Sequence, residues 1–303
     1  MLIESDPLSV RLEQMIGRSL WVTYEKFMNT KSIESQFRAM GARLKVLEMN
    51  PGWNRQHRVY RSDDDYAVDI RKDKHGQYFE IRVPEAKRDA LSMLVMQNEP
   101  RQRHLLLLVR SSGEEEKLDR FLCGHDEREW FVAAVPGGAS SVRQAMDALR
   151  PKEAEEALVK QGVCRKKRYS RKNSAFRRQG EWFFIPQPNL ELGDELILKN
   201  EPIRRGRGKP HMVQELFRRG GESVWVTWRY PNGATEEEYR EIIRTDAEAA
   251  RMYWRLMRRN PEVYARGEIR HRDHETINLP CWHRVVMNTE NQTSTMMNMA
   301  FLD

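Results

Sequence analysis

Apolar positions recur at helical spacing through the first fifty residues, then switch to alternation. Leu8, Leu12, Met15, Ile16 and Leu20 predict a helix from Pro7 to Met28, with Asp6 as its cap. Phe37, Met40, Leu44 and Leu47 predict a second from Ser35 to Leu47, weakened by Gly41. Beyond them, Tyr66–Ile70 and Tyr78–Val83 alternate across Lys72–Gly76 and read as a hairpin. The unbroken run Leu105–Val109 reads as a central strand buried on both faces. Lys117–Cys123 and Trp130–Val135 read as another hairpin. Ser141 and Gln144 form a capping-box pattern for a helix to Leu149, and Pro151 opens a further helix, Lys152 to Lys160.

The C-terminal part is less regular. Glu181–Ile185, Glu195–Leu198 and Ser223–Trp228 predict strands, and Pro210–Arg219 a short helix. Pro231–Gly233 reads as a turn after the third of these strands. Thr235 and Glu238 make a second capping box, and Asp246 caps a helix through Met252 to Met257, stopped by Asn260-Pro261. Gly267–Arg270 and Thr276–Leu279 predict two closing strands, and a methionine-rich tail follows from Thr293 to Ala300. This mixed order predicts an α+β fold of two domains, each a small mixed or antiparallel sheet with packed helices. The boundaries expected are 1–160 for the first domain, 161–179 for a basic linker or arm, and 180–303 for the second.

Composition sets the class. At 303 residues, 39% hydrophobic and 9% aromatic, the chain can build two real cores despite a 32% charged fraction. No apolar stretch approaches the roughly 20 residues of a membrane span, and the N-terminus lacks a secretory pattern. Cys123, Cys164 and Cys281 are far apart, which speaks against a disulfide framework or a Cys-based zinc finger. The expectation is a soluble, cytoplasmic protein, with a nuclear location open for a eukaryotic source.

Charge is concentrated in one place. Residues 161–220 hold fifteen Lys/Arg against six Asp/Glu, whereas the whole chain is only +7. The densest run contains Arg165, Lys166, Lys167, Arg168, Tyr169, Arg171, Lys172, Arg177 and Arg178. Arg204, Arg205, Arg207 and Lys209 follow, with His211 opening the expected helix, whose N-terminus would add a favourable dipole for phosphate. Such clusters hold polyanions. Because Tyr169, Phe176 and Trp182–Phe184 interleave with the cations, and no helix-turn-helix or zinc module is evident, RNA or single-stranded DNA is slightly favoured. Three consecutive rings at 182–184 suit a core strand better than base stacking.

A second cluster carries candidate chemistry. His271, His274 and His283 fall within thirteen residues, beside Asp273. A turn between strands can bring such groups together as an acid–base set, or as ligands for a divalent metal such as Zn²⁺. Next to a phosphate-binding surface, the matching reaction is phosphodiester cleavage. A polar surface turn is the plainer reading of the same residues. Nucleic-acid binding is therefore the leading expectation, with a metal- or histidine-dependent nuclease as the alternative and an interaction protein docking an acidic partner as the third.

Overall fold

The computed structural model describes residues 30–49, 60–62, 66–85, 88–112, 116–192, 196–205 and 209–290. The helix expected from Pro7 to Met28, the Met-rich tail and Arg207 lie outside them. The α+β expectation is overturned. The described residues are mostly β, with 49% of them in strands and 18% in helix. Among the described residues there are four sheets and only four α-helices. Three of the expected helical segments are strand wholly or in part, and each has a local reason.

The chain divides into two compact units. The first comprises residues 1–125, 130–134 and 138–142; the second comprises 126–129, 135–137 and 143–303.

The first unit begins with helix α1 at 30–39, which Gly41 ends at φ +84°, a conformation that costs glycine little. Strand β1 (Leu44–Met49) follows, so the predicted helix stops about one turn after Phe37 and its last apolar residues are extended. β1 runs parallel to β4 (Gly76–Pro84), which pairs antiparallel with β3 (Tyr66–Asp73), and β2 (Tyr60–Ser62) closes the order β1-β4-β3-β2. The second sheet is β5 (Leu91–Glu99), β6 (His104–Ser111), β7 (Lys117–Asp126) and β8 (Glu129–Ala134), in chain order. Ile33 and Phe37 of α1, Tyr66, Phe79 and Ile81 of one sheet, and Leu105, Leu107 and Phe121 of the other share one core. Burying such side chains contributes about 1.5–3 kcal/mol each.

In the second unit, helices α2 (Val142–Ala148) and α3 (Lys152–Lys160) precede an antiparallel six-stranded sheet. Its order is β11 (Leu198–Ile203), β12 (His211–Arg219), β16 (Glu262–Arg270), β17 (Ile277–Met287), β10 (Trp182–Pro186) and β9 (Arg177–Gln179). The predicted Pro210–Arg219 helix is therefore strand β12, paired on both sides by β11 and β16. A register shift between Val213 and Glu215 breaks its alternation, which is why the strand reads as helical spacing. Opposite it, Gly267 lies at φ +80°, where an added Cβ would come within 2.3 Å of Gln214 Oε1.

Strand β10 serves two cores by strict alternation. Trp182 and Phe184 pack with Val213, Leu216, Ile269 and Val285 on one face. Phe183 and Ile185 pack on the other with Ala154 and Leu158 of α3 and with Ala175 and Phe176 of the basic segment. The three rings thus belong to the interior.

A small sheet, β14 (Tyr230–Ala234), β13 (Glu222–Thr227) and β15 (Arg255–Arg259), carries helix α4 (Glu236–Thr245). Residues 231–233 are strand instead of turn, and the reversal falls at Trp228 and Arg229. Thr235 caps α4 in a complete capping box with Glu238. Asp246 caps only a 3₁₀ turn, Ala249–Arg251, before β15, so the predicted Met252–Met257 helix is absent. Pairing of Val224, Trp225 and Val226 with Met257, Leu256 and Arg255 overrides the helical spacing there. Among the described residues, no helix is long and apolar enough to cross a membrane.

Candidate functional site

Four loops and strand ends of the second unit meet at one place. His211 is the first residue of β12; His271 and His274 lie in the β16–β17 connection; Gln179, Gly180 and Glu181 join β9 to β10; Asp126 and Glu127 begin the β7–β8 turn. His211, His271 and His274 each offer one ligand atom, all within 4.8 Å of one another. Their rings lie nearly parallel, His211 over His271 at 4.1 Å, His271 over His274 at 4.6 Å, and His211 to His274 at 5.6 Å.

The proton positions follow from the buried amide of Gln179. Its Nε2 donates to the carbonyls of Glu275 at 2.6 Å and Ile269 at 3.3 Å, so its Oε1 is the atom facing His211 Nδ1 at 2.9 Å. That oxygen can only accept. His211 Nδ1 therefore carries the proton, and its Nε2 presents a lone pair to the cluster. Burial, reinforced by His271 and His274, pulls the His211 pKa down to about 3. Burial also lowers that of His271, with His274 adding to the effect.

His274 Nδ1 lies 3.4 Å from Glu127 Oε2 and has no closer hydrogen-bond partner among the described residues. Glu127 is itself anchored, since its Oε2 accepts the Glu275 N–H at 2.7 Å and its other oxygen meets Arg171 at 2.7 Å. Arg171 and Arg178 also pair with Asp126. His271 is engaged differently: its Nδ1 accepts the Asp273 N–H at 3.1 Å, and the ring also hydrogen-bonds the Lys209 backbone. Glu181 Oε2 lies 4.0 Å from His211 Nε2, and burial pushes the Glu181 pKa up.

His283 is elsewhere. It is buried on β17 opposite Ala265, with Nδ1 2.8 Å from the Cys281 carbonyl, and burial lowers its pKa. Asp273 is held by Lys209, outside the histidine group. The place expected for His283 is thus taken by His211, which the sequence associates with the basic stretch. Gln179, Gly180, Glu181 and Glu127 carry no signal in the linear pattern, because their role depends on strands distant in sequence. Cys123 is fully buried in the first unit and burial raises its thiol pKa, which does not suit a nucleophile.

The basic segment is folded against the sheet. Asn173 Oδ1 accepts the amides of Ala175 and Phe176, and Phe176 packs edge-on against Phe183 at 5.1 Å. Arg168 pairs with Glu155, and Arg177 donates to the Asn278 carbonyl. Tyr169 donates to Asp147 beneath Arg143 and Arg150. Arg165, Lys166, Lys167, Lys172 and Arg204 are exposed. Arg205 is bound to Glu290 and Asn288, and burial lowers its pKa. The phosphate site expected at the N-terminus of a Pro210 helix has no helix to support it. A shallow pocket of about 390 Å³ opens beside the cluster, lined by Lys209, Pro210, Met212, Arg270, His271 and Arg272.

Comparison with protein-family models, curated proteins and solved structures finds no match for this chain.

Proposed function

We propose that the second unit binds nucleic acid, with its phosphates engaged at the face that carries the histidine cluster. The observation that supports this reading best is the shallow pocket beside the cluster, whose lining includes Lys209, Arg270 and Arg272 as well as His271. Cations in a concave site release counterions from a polyanion on binding. The exposed Arg165, Lys166, Lys167 and Lys172 add a second patch of the same sign. The preference for RNA or single-stranded DNA now rests on other rings than those singled out in the sequence. Trp182–Phe184 and Phe176 are interior, whereas Trp228 and Tyr253 are 79% and 82% exposed. Exposed rings stack unpaired bases at about 1–3 kcal/mol each.

The test is fluorescence anisotropy of labelled single- and double-stranded RNA and DNA across a salt series. Binding with a steeply negative log–log salt slope is expected, strongest for single strands. Flat anisotropy at low salt would overturn the reading, and competition by acidic peptides with no dependence on strand length would replace it with docking of an acidic protein.

A second reading, phosphodiester cleavage, is favoured by the convergence of His211 and His274 beside Glu181. Running the same samples on a denaturing gel tests it, with shortened label expected and its loss expected in His274→Gln.

A further inference from the structure

An imidazole nitrogen and a carboxyl oxygen approach each other at the edge of the histidine cluster. The lone pair on His211 Nε2 is set by Gln179, and the Glu181 carboxyl oxygen lies 4.0 Å from it. The ionised form of Glu181 repels that lone pair unless a proton or a metal cation lies between them, so the pair can accept either. Zinc bonds to imidazole nitrogen and carboxylate oxygen are about 2.0–2.2 Å long. A single ion fits in this gap if the two side chains close on it, and adding the other imidazoles requires their stacked rings to turn towards it.

The surroundings are shaped for the same occupant. Gly180 lies at φ +59°, and a Cβ built on it would stand 3.0 Å from His274 Nε2 and 3.7 Å from His211 Nε2. The two nitrogens thus look onto one spot above a residue with no side chain. Behind them, Gln179 accepts from His211 Nδ1 and Glu127 faces His274 Nδ1, the outer partners that orient ligating imidazoles. We infer that the second unit holds one divalent transition metal of the zinc class, bound by His211 and His274 through Nε2, with Glu181 as carboxylate ligand and His271 as third imidazole. An imidazole-rich donor set selects such ions over magnesium or calcium. His271 is the weakest ligand, because binding breaks a hydrogen bond it already makes to the Asp273 amide or the Lys209 backbone. The inference deepens the proposed function by naming the cofactor of that face, but it rests on the donor geometry alone and stands or falls separately.

The full chain, stripped with a chelator, is titrated with Zn²⁺ against a chromophoric competitor and with Co²⁺ by visible absorption. One ion per chain is expected, with Co²⁺ bands of low-symmetry nitrogen and oxygen coordination. His211→Gln and His274→Gln should each weaken Zn²⁺ binding at least 100-fold, and His271→Gln less. Gln179→Leu should cost about 10–100-fold, and His283→Gln nothing. Circular dichroism checks folding. If His211→Gln is unfolded, His274→Gln and Glu181→Gln, on more open side chains, carry the test. Failure of the wild-type chain to bind either ion, or equal binding by the His211→Gln/His274→Gln double variant, would overturn the inference. Anisotropy on the stripped protein separates the two proposals. Polyanion binding without metal binding removes only the metal centre, and metal binding with flat anisotropy removes only the nucleic-acid reading.

Discussion

Gln179 accepts the Nδ1 proton of His211 at 2.9 Å while its own amide nitrogen holds two backbone carbonyls. One fully buried amide thus joins the β9–β10 turn, the first residue of β12 and the β16–β17 connection. Replacing it by leucine leaves the His211 N–H and those carbonyls unmet. Each buried group left unpaired costs roughly 1–3 kcal/mol. Gln179→Leu is expected to lower the urea midpoint markedly, whereas Gln187→Leu, outside this network, should leave it near the wild-type value.

Gly180 adds a steric prediction to that polar one. Alanine there must adopt a left-handed backbone, at about 1–2 kcal/mol, and bring a methyl to 3.0 Å from His274 Nε2. Gly180→Ala should show this loss in thermal unfolding. It should also shift the His274 ring resonances in NMR spectra, while those of His75 and His104 stay in place.

The basic segment divides into structural and exposed cations. Arg171 bridges Asp126 and Glu127, so Arg171→Ala should reduce stability by roughly 1 kcal/mol, given its partial exposure. Lys166→Ala with Lys167→Ala removes exposed charge alone. That pair should leave the melting temperature unchanged and flatten the log–log salt slope of nucleic-acid binding by about 0.7–0.9 for each phosphate no longer neutralised. Anisotropy and calorimetry on the same preparations distinguish the two classes.

Helix α4 depends on its cap. Thr235 Oγ1 accepts the Glu238 amide and Glu238 Oε2 accepts that of Thr235. Thr235→Ala is expected to destabilise the protein by about 0.5–2 kcal/mol. Trp225, stacked on Tyr239 of that helix at 4.6 Å, should report the loss as a change in fluorescence.

Acid should destabilise the second unit through its buried histidines. Burial holds the His283 pKa below its ordinary value, and Arg177 acts in the same direction. The unfolded chain protonates near the ordinary histidine value of about 6.5, while the folded chain keeps this ring neutral. Stability from this group is therefore complete above that pH and declines as pH falls towards the lower folded value. The urea midpoint should be lower at pH 5 than at pH 7.5, and His283→Gln should reduce the difference.

Much of the architecture was legible where the code is local. The hairpin of β3 and β4, the buried strand β6, helix α3 behind Pro151 and the capping box of α4 all rest on alternation, an unbroken apolar run or a capping residue within a few positions. The charge excess of 161–220 and the grouping of His271 and His274 were equally plain, since both lie in one stretch of chain. Tertiary structure decided the rest. A register shift at Val213–Glu215 hides the period of β12, and only pairing with β11 and β16 makes it a strand. The same pairing brings His211 to His271 and His274 across some sixty residues of sequence. The β9–β10 connection and the β7–β8 turn bring Gln179, Glu181 and Glu127 to them, and packing against β10 turns much of a basic run from a free arm into packed structure. Side-chain period and capping act over one or two turns of chain. Convergence of ligands depends on which strands become neighbours, and the burial of two cores along β10 and β12 selects those neighbours.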